Sequence, residues 1–427
     1  MRKSIIVIFM CSLFSNMLAL AQINTGELSG ANISDELNTI TTAVPFLLIS
    51  PDSKSGAMGD VGVATSPDAN SLHWNPAKYS FVKDDLGFAV SYVPWLRALV
   101  PDINLSYLSG YRKLNRNDAI GMELRYFSLG DITFTDINGS TIGQYKPNEF
   151  AIGSAYSRKL SRQFSMAISG RYIYSNLTGG QLAGGIQTQA GKSFAADVAA
   201  YYQKPIRIAK QDIDLALGAN ISNIGNKIRY TETAVRDFIP INLRLGTSLA
   251  LDFDEYNSMS FAFDINKLLV PTPPLYDTRT FLTEDSAGID IQVPNPNVGE
   301  IIDGMNPNVS VVSGMFQSFY DAPGGFKEEI REFNISIGTE YWYADQFAIR
   351  AGYFNEHDTK GGRKYFTFGS GIKYNVFTLD FSYLINASRA INGNNPLANT
   401  MRFTLVFDFG AIKNNNKLKD KSANKDG

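Results

Sequence analysis

The chain has 427 residues, of which 39 are basic and 41 acidic, so its formal net charge is −2. This balance gives no reason to expect nucleic acid as a partner. A single cysteine, Cys11, excludes a disulfide framework.

The N-terminus has the features of a secretory signal. Arg2 and Lys3 precede an apolar run at 5–20, and small residues flank a cleavage site after Ala21. We therefore predict that residues 1–21 are a cleaved signal peptide, which leaves the mature chain without a thiol. The alternative, a retained membrane anchor, is less favoured because the run is short for a bilayer span and polar residues interrupt it.

Residues 22–85 are rich in Gly, Ser, Pro and Asp and show no sustained strand period. The segment is too long for a leader, and we predict that it folds as a plug, or hatch, inside a barrel. Gly56, Gly59 and Gly62 have GxxGxxG spacing, which is not a dinucleotide fingerprint, and the required βαβ unit is missing. Their expected role is tight backbone packing in the hatch.

From residue 86 to 410, stretches of about ten residues alternate apolar and polar side chains, a pattern typical of membrane-spanning strands. The predicted strands are 86–95, 102–113, 118–129, 149–160, 164–175, 193–203, 213–221, 241–254, 258–266, 331–343, 347–356, 365–374, 377–387 and 400–409. The predicted fold is therefore an all-β transmembrane antiparallel β-barrel of about 14 strands, in contact with outer-membrane lipid. A soluble β-sandwich or propeller is the alternative, but its strands average nearer six residues.

The connection at 267–330 is far longer than a hairpin needs and is expected to lie outside the cell. A loop of this size either binds a partner or is disordered, and binding is the favoured interpretation. Its candidate contact residues are the aromatic side chains Phe281, Phe316, Phe319, Tyr320 and Phe326. Residues 411–427, with asparagines and scattered lysines, are predicted to be a disordered periplasmic tail.

Nothing in the pattern predicts an enzyme, a metal site or a cofactor. His73 and His357 are the only histidines, and neither has a second ligand at metal-binding spacing. No GxSxG element or Ser, His, Asp arrangement is present. Charges on the predicted lumen face are expected to pair or to anchor the hatch: Glu123, Arg125, Arg171, Arg244, Asp264, Glu340, Arg350, Lys373, Asp380, Arg402 and Asp408.

The segment from Ser50 to Ser71, followed by His73-Trp74-Asn75-Pro76-Ala77-Lys78-Tyr79, closely resembles the PorV family of the type IX secretion system. The resemblance extends over the mature chain. The tripeptide Asn75, Pro76 and Ala77 alone also resembles the wider FadL-like family, which has fourteen strands and an N-terminal hatch.

The PorV resemblance implies a non-enzymatic role in protein export. Family members receive secreted proteins by their C-terminal signal domains, associate with the large translocon barrel SprA, and hand cargo to the surface attachment complex. The FadL-like resemblance leaves a second hypothesis, an outer-membrane transporter of hydrophobic small molecules. Accumulation of cargo in the periplasm of a disruption mutant would favour export over transport.

Overall fold

The structure, a computed structural model, describes residues 37–96, 100, 102–135, 141–180, 182–183, 186–208, 211–277, 280–284, 290–294, 299–387 and 400–410. The chain divides into two units, and the second, Thr39–Gly427, contains every element named below. The predicted signal peptide and C-terminal tail lie outside the described residues.

Fourteen strands form a closed antiparallel barrel in which each strand pairs with the next and the last pairs with the first. They are β1 Leu86–Pro94, β2 Ile103–Lys113, β3 Asp118–Leu129, β4 Asn148–Lys159, β5 Phe164–Asn176, β6 Gly191–Ile208, β7 Gln211–Gly225, β8 Asn242–Asp252, β9 Asn257–Leu268, β10 Asn334–Tyr343, β11 Phe347–Asn355, β12 Lys364–Tyr374, β13 Phe377–Asn386 and β14 Met401–Asp408. The predicted barrel is confirmed.

The alternation in β5 shows how the sequence produces the two faces of the wall. Met166 and Ile168 are exposed on the outer surface, whereas Ser165, Ser169 and Arg171 are buried in the lumen. Because successive side chains point to opposite faces, one strand presents apolar side chains to the lipid and polar side chains to the lumen.

Three strands differ from the prediction in where they begin or end. β6 and β7 are longer than predicted, because strand pairing continues through Pro205, which lies opposite Asp214. β10 begins at Asn334 rather than at residue 331, because a short helix of the preceding loop extends to Arg331.

Short connections lie at one rim of the barrel and long loops at the other. The short ones within the described residues are 114–117, 160–163, 253–256, 344–346 and 375–376. In outer-membrane barrels the short turns face the periplasm, and we therefore name the two ends the periplasmic rim and the outer rim. Within the described ranges, no helix combines the length and apolarity needed to cross a bilayer.

The hatch fills the barrel interior with short helical turns. It comprises 3-10 helices Pro45–Leu48 and Pro76–Phe81, with α1 Ser53–Ala57 and α2 Ser71–Trp74 between them. Most side chains between residues 43 and 82 are buried, because the wall surrounds the segment.

The loop between β9 and β10, residues 269–333, is called the cap. It contains the paired segments Leu275–Tyr276 with Ile301–Asp303 and Thr280–Glu284 with Asp290–Pro294, followed by α3 Val311–Gln317 and α4 Phe326–Arg331. Other outer loops carry the hairpins Ile132–Thr135 with Thr141–Tyr145 and Leu182–Ala183 with Ile186–Gln187, and a 3-10 helix at Asp358–Lys360.

Candidate functional site

Three hatch glycines lie where the backbone has no room for a side chain. A Cβ at Gly59 would stand 2.6 Å from the carbonyl oxygen of Tyr353 in β11, and the φ of +73° at Gly59 also favours glycine. A Cβ at Gly62 would overlap the ring of Trp74, within the hatch, and one at Gly56 would lie 2.5 Å from the guanidinium of Arg402 in β14. Gly56 and Gly59 therefore let the hatch pack closely against the wall, and Gly62 lets it pack closely against itself.

Asn75 joins two parts of the hatch to the wall. Its side-chain nitrogen donates hydrogen bonds to the carbonyl oxygens of Val63, in the hatch, and Ala200, in β6, both at 3.0 Å. Asn75 is fully buried, so these bonds satisfy a group that would otherwise be costly to bury.

Pro76 and Ala77 continue this junction. Pro76 begins the 3-10 helix, and the Ala77 amide donates to the side-chain oxygen of Asn75 at 3.0 Å. The Ala77 carbonyl then accepts from the hydroxyls of Ser157 at 3.0 Å and Ser165 at 2.8 Å, on β4 and β5. The tripeptide therefore binds the hatch to three consecutive strands.

Wall side chains on the opposite side of the lumen hold the glycine segment. One carboxylate oxygen of Asp264 accepts from the amides of Gly62 at 2.7 Å and Val63 at 3.0 Å. The hydroxyl of Thr367 accepts from the Gly59 amide at 2.8 Å. These bonds satisfy hatch amides that no helix or sheet ladder uses.

His73 lies between two arginines of the wall. Arg125 donates to its Nδ1 at 2.7 Å and to the carbonyl of Leu47 at 2.7 Å, and Arg244 donates to the His73 carbonyl at 2.7 Å. Burial, together with the nearby Arg125, lowers the pKa of His73 well below its ordinary value. The ring is therefore a neutral acceptor in a packed junction, and no group of three His, Cys, Asp or Glu side chains in the described ranges is placed to hold a metal.

The predicted lumen charges are mostly paired or bound to the hatch. Two buried arginines each bridge two carboxylates: Arg171 with Glu123 at 2.7 Å and Asp197 at 3.2 Å, and Arg350 with Glu340 at 2.6 Å and Asp380 at 2.7 Å. Arg402 donates to the carbonyl of Gly56, whereas Lys373 is exposed near the periplasmic rim. At the level of the hatch the lumen is therefore lined by fixed charges.

An apolar cluster joins the top of the hatch to the outer loops. Phe46 and Leu47 pack in one cluster with Phe238 and Leu269, and the inner face of α3 reaches it through Met315. The hatch backbone also enters this region, because the Ala43 amide donates to the carbonyl of Phe238 at 2.8 Å. The cap and the hatch thus share a core.

Buried ion pairs fix the cap to the barrel mouth. Lys267, at the end of β9, donates to Glu332 at 2.6 Å and to Glu329 at 3.1 Å. Lys360, from another outer loop, donates to Glu332 at 2.9 Å. Asp321 accepts from the amide of residue 272, and burial raises its pKa to about 6.

The aromatic candidates of the cap lie on its outer surface. Phe326 is 79% exposed, Phe316 69%, Tyr320 64% and Phe319 45%. Phe281 belongs to strand Thr280–Glu284, and its side chain lies outside the described part of the chain. The four described candidates lie on one loop.

Sequence reasoning missed the side chains that hold the cap. Glu328, Glu329 and Glu332 have helical spacing, which was a usable signal, but their partners Lys267 and Lys360 come from distant positions. Thr367 was missed because a single threonine on a lumen face carries no pattern.

Comparison with protein families gives a match to the type IX secretion system protein PorV over residues 32–275. A comparison with curated proteins finds no match. Among solved structures, the Ralstonia pickettii toluene transporter TbuX is 11% identical, with 84% of this chain and 98% of that chain covered and a TM-score of 0.43.

Two further solved structures are similarly distant. The Pseudomonas putida toluene transporter TodX is 13% identical, with coverages of 82% and 95% and a TM-score of 0.44. A Pseudomonas aeruginosa FadL homologue is 12% identical, with coverages of 87% and 100% and a TM-score of 0.40.

The family match covers more than half of the chain, including the hatch and the first nine strands. It agrees with the closed barrel and indicates a component of the type IX secretion system in the outer membrane. The chain belongs to the PorV family of outer-membrane proteins of the type IX secretion system.

Proposed function

We propose that this protein receives secreted proteins by their C-terminal signal domains at a SprA-type translocon barrel and passes them to the surface attachment complex. The observation that carries the proposal is a filled lumen beneath an exposed, aromatic cap. Cargo is then handled on the outer surface and does not pass through the barrel.

The filled lumen supports the view that cargo does not pass through the barrel. The hatch is bonded to β4, β5 and β6 through Asn75 and Ala77, and to β9 and β12 through Asp264 and Thr367. Opening a path for a polypeptide would break these buried bonds together, each at a cost of about 1–3 kcal/mol.

The cap supports the view that cargo is bound on the outer surface. Four of its aromatic side chains, on α3, α4 and the turn between them, are exposed, and contiguous apolar surfaces mark interaction sites. The ion pairs of Lys267 and Lys360 hold the base of the cap, so the aromatic residues are presented on an anchored element.

Transport of hydrophobic small molecules is less well supported. Such a route needs an apolar path past the hatch, but the buried wall there carries Arg125, Arg171, Glu123 and Arg350. An apolar solute would gain nothing by replacing the polar partners of these groups.

The test is the double variant Phe316→Ser with Phe326→Ser, expressed in place of the native chain. Both side chains are exposed, so the barrel should assemble normally. We expect cargo to accumulate in the periplasm, measured by quantitative mass spectrometry of cell fractions. The matched control is Phe253→Ser, an exposed phenylalanine at the periplasmic rim.

Two outcomes would count against the proposal. Normal secretion by the double variant would show that the aromatic residues of the cap are not needed for cargo handling. Normal secretion combined with a failure to take up hydrophobic nutrients would favour the transporter.

A further inference from the structure

We infer that the cap recognises a partner segment that is both apolar and net basic. This inference rests on the proposed function and adds the chemistry of the segment that the cap binds. It follows from two separate features of the outer surface, a cluster of exposed apolar side chains and a concentration of negative charge.

The apolar surface is formed by α3, α4 and the turn between them. Its members are the exposed side chains Val312, Phe316, Phe319, Tyr320, Phe326 and Ile330. On each helix the exposed residues are four positions apart, so they lie on one face, while Met315 packs inward against the apolar cluster shared with the hatch. The helices therefore pack against the apolar cluster through their inner side, and the exposed side chains lie on their outer side.

The charge of the cap differs from that of the rest of the chain. Residues 269–333 hold ten of the 41 acidic residues but three of the 39 basic ones, so the cap carries −7 and the remainder +5. Lys267 and Lys360 neutralise part of this charge at the base of the cap. An excess of negative charge remains in the cap as a whole, and Lys327 is the exposed cation among the described side chains of the cap.

Among the cap side chains that the structure describes, the exposed carboxylates are those of Glu300 and Asp303. The next residue, Gly304, approaches Pro323 so closely that a Cβ would lie 3.1 Å from its ring. The carbonyl of Asn306 accepts from the side chain of Gln317, at the end of α3, at 3.1 Å. The acidic segment and the apolar face therefore form one surface.

Charge complementarity selects the occupant. An acidic partner would be repelled by the negative charge of the cap, and an uncharged apolar partner would not neutralise it. A basic apolar segment is complementary to both the charge and the apolar face. Opposite charge would mainly speed association, and the buried aromatic contacts would mainly slow dissociation.

The test uses the full chain in nanodiscs of zwitterionic lipid and two synthetic peptides. The peptides share length and phenylalanine spacing, and one carries lysines where the other carries glutamates. We expect the lysine peptide to bind at least tenfold more tightly at 50 mM NaCl, with a preference that shrinks at 300 mM as screening increases. Empty nanodiscs report binding to lipid alone.

Variants locate the effect. Glu300→Lys with Asp303→Lys should abolish the preference, whereas Asp212→Lys, at an exposed carboxylate of the periplasmic rim, should retain it. Equal binding of the two peptides, or a preference that survives reversal of the cap charges, would overturn the inference. A lysine preference with no binding of any C-terminal signal domain on the same surface would instead contradict the proposed function.

Discussion

Replacing Asp264 with alanine tests how firmly the hatch is held. The change removes the acceptor for the amides of Gly62 and Val63, both of which are buried. A buried donor left without a partner costs about 1–3 kcal/mol, so the closed hatch loses about 2–6 kcal/mol. A loss of about 3 kcal/mol raises the population with a displaced hatch roughly a hundredfold.

Planar-bilayer conductance of the purified protein measures this population. We expect rare openings in the native protein and openings at least tenfold more frequent in Asp264→Ala. Asp264→Asn should be intermediate, because its amide oxygen can still accept from both amides but lacks the negative charge that strengthens these bonds. The control Asp212→Ala alters an exposed carboxylate and should behave as native.

If Asp264→Ala opened no more often than the native protein, the bonds from Gly62 and Val63 to Asp264 would be dispensable for holding the hatch. If the double variant Asp264→Ala with Thr367→Val were also silent, the reasoning that wall side chains hold the glycine segment would be refuted.

Three other changes give distinct outcomes. Arg350→Ala leaves Glu340 and Asp380 buried without their cation, and the free energy of unfolding should fall by about 3–5 kcal/mol in heat-denaturation assays. The control Arg207→Ala removes an exposed arginine and should lower it by under about 1 kcal/mol. Equal losses in the two variants would contradict the buried pairing. Gly59→Val should impair assembly because of its φ and its contact with Tyr353, whereas Gly170→Val, with open space around it on the lipid face, should assemble normally in outer-membrane fractions. The raised pKa of Asp321 means that its protonated form favours the folded cap, so cap stability should fall as pH rises from about 4 to about 6 and then level off. Asp321→Asn should remove that fall in hydrogen exchange of the cap, and an unchanged pH profile would show that another group is responsible.

The barrel could be predicted from sequence because each strand meets lipid on one face and the lumen on the other. β3 was predicted with its observed bounds, Asp118–Leu129, since its apolar outer residues alternate with Glu123 and Arg125. The alternation is weaker where the wall is irregular, as at the bulge between β6 and β7, and there the predicted ends were short.

The contacts that hold the hatch and the cap could not be predicted in this way. Asp264 binds Gly62 across 202 residues of chain, and nothing local distinguishes it from a carboxylate paired with an arginine. The presence of a hatch followed from composition and motif, but its partners depend on the curvature of the closed wall. The same holds for Lys360, which reaches Glu332 only because two outer loops meet.

A hatch fixed covalently to the wall tests the central claim most directly. The side-chain oxygens of Ser53, in α1, and Thr404, in β14, lie 3.2 Å apart, and Cys11 of the predicted signal is the only cysteine in the sequence. Ser53→Cys with Thr404→Cys should therefore form a single disulfide under oxidising conditions. We predict that cells with the locked hatch secrete cargo at the native rate, with or without reductant; a block in secretion that reductant relieves would contradict export outside the lumen.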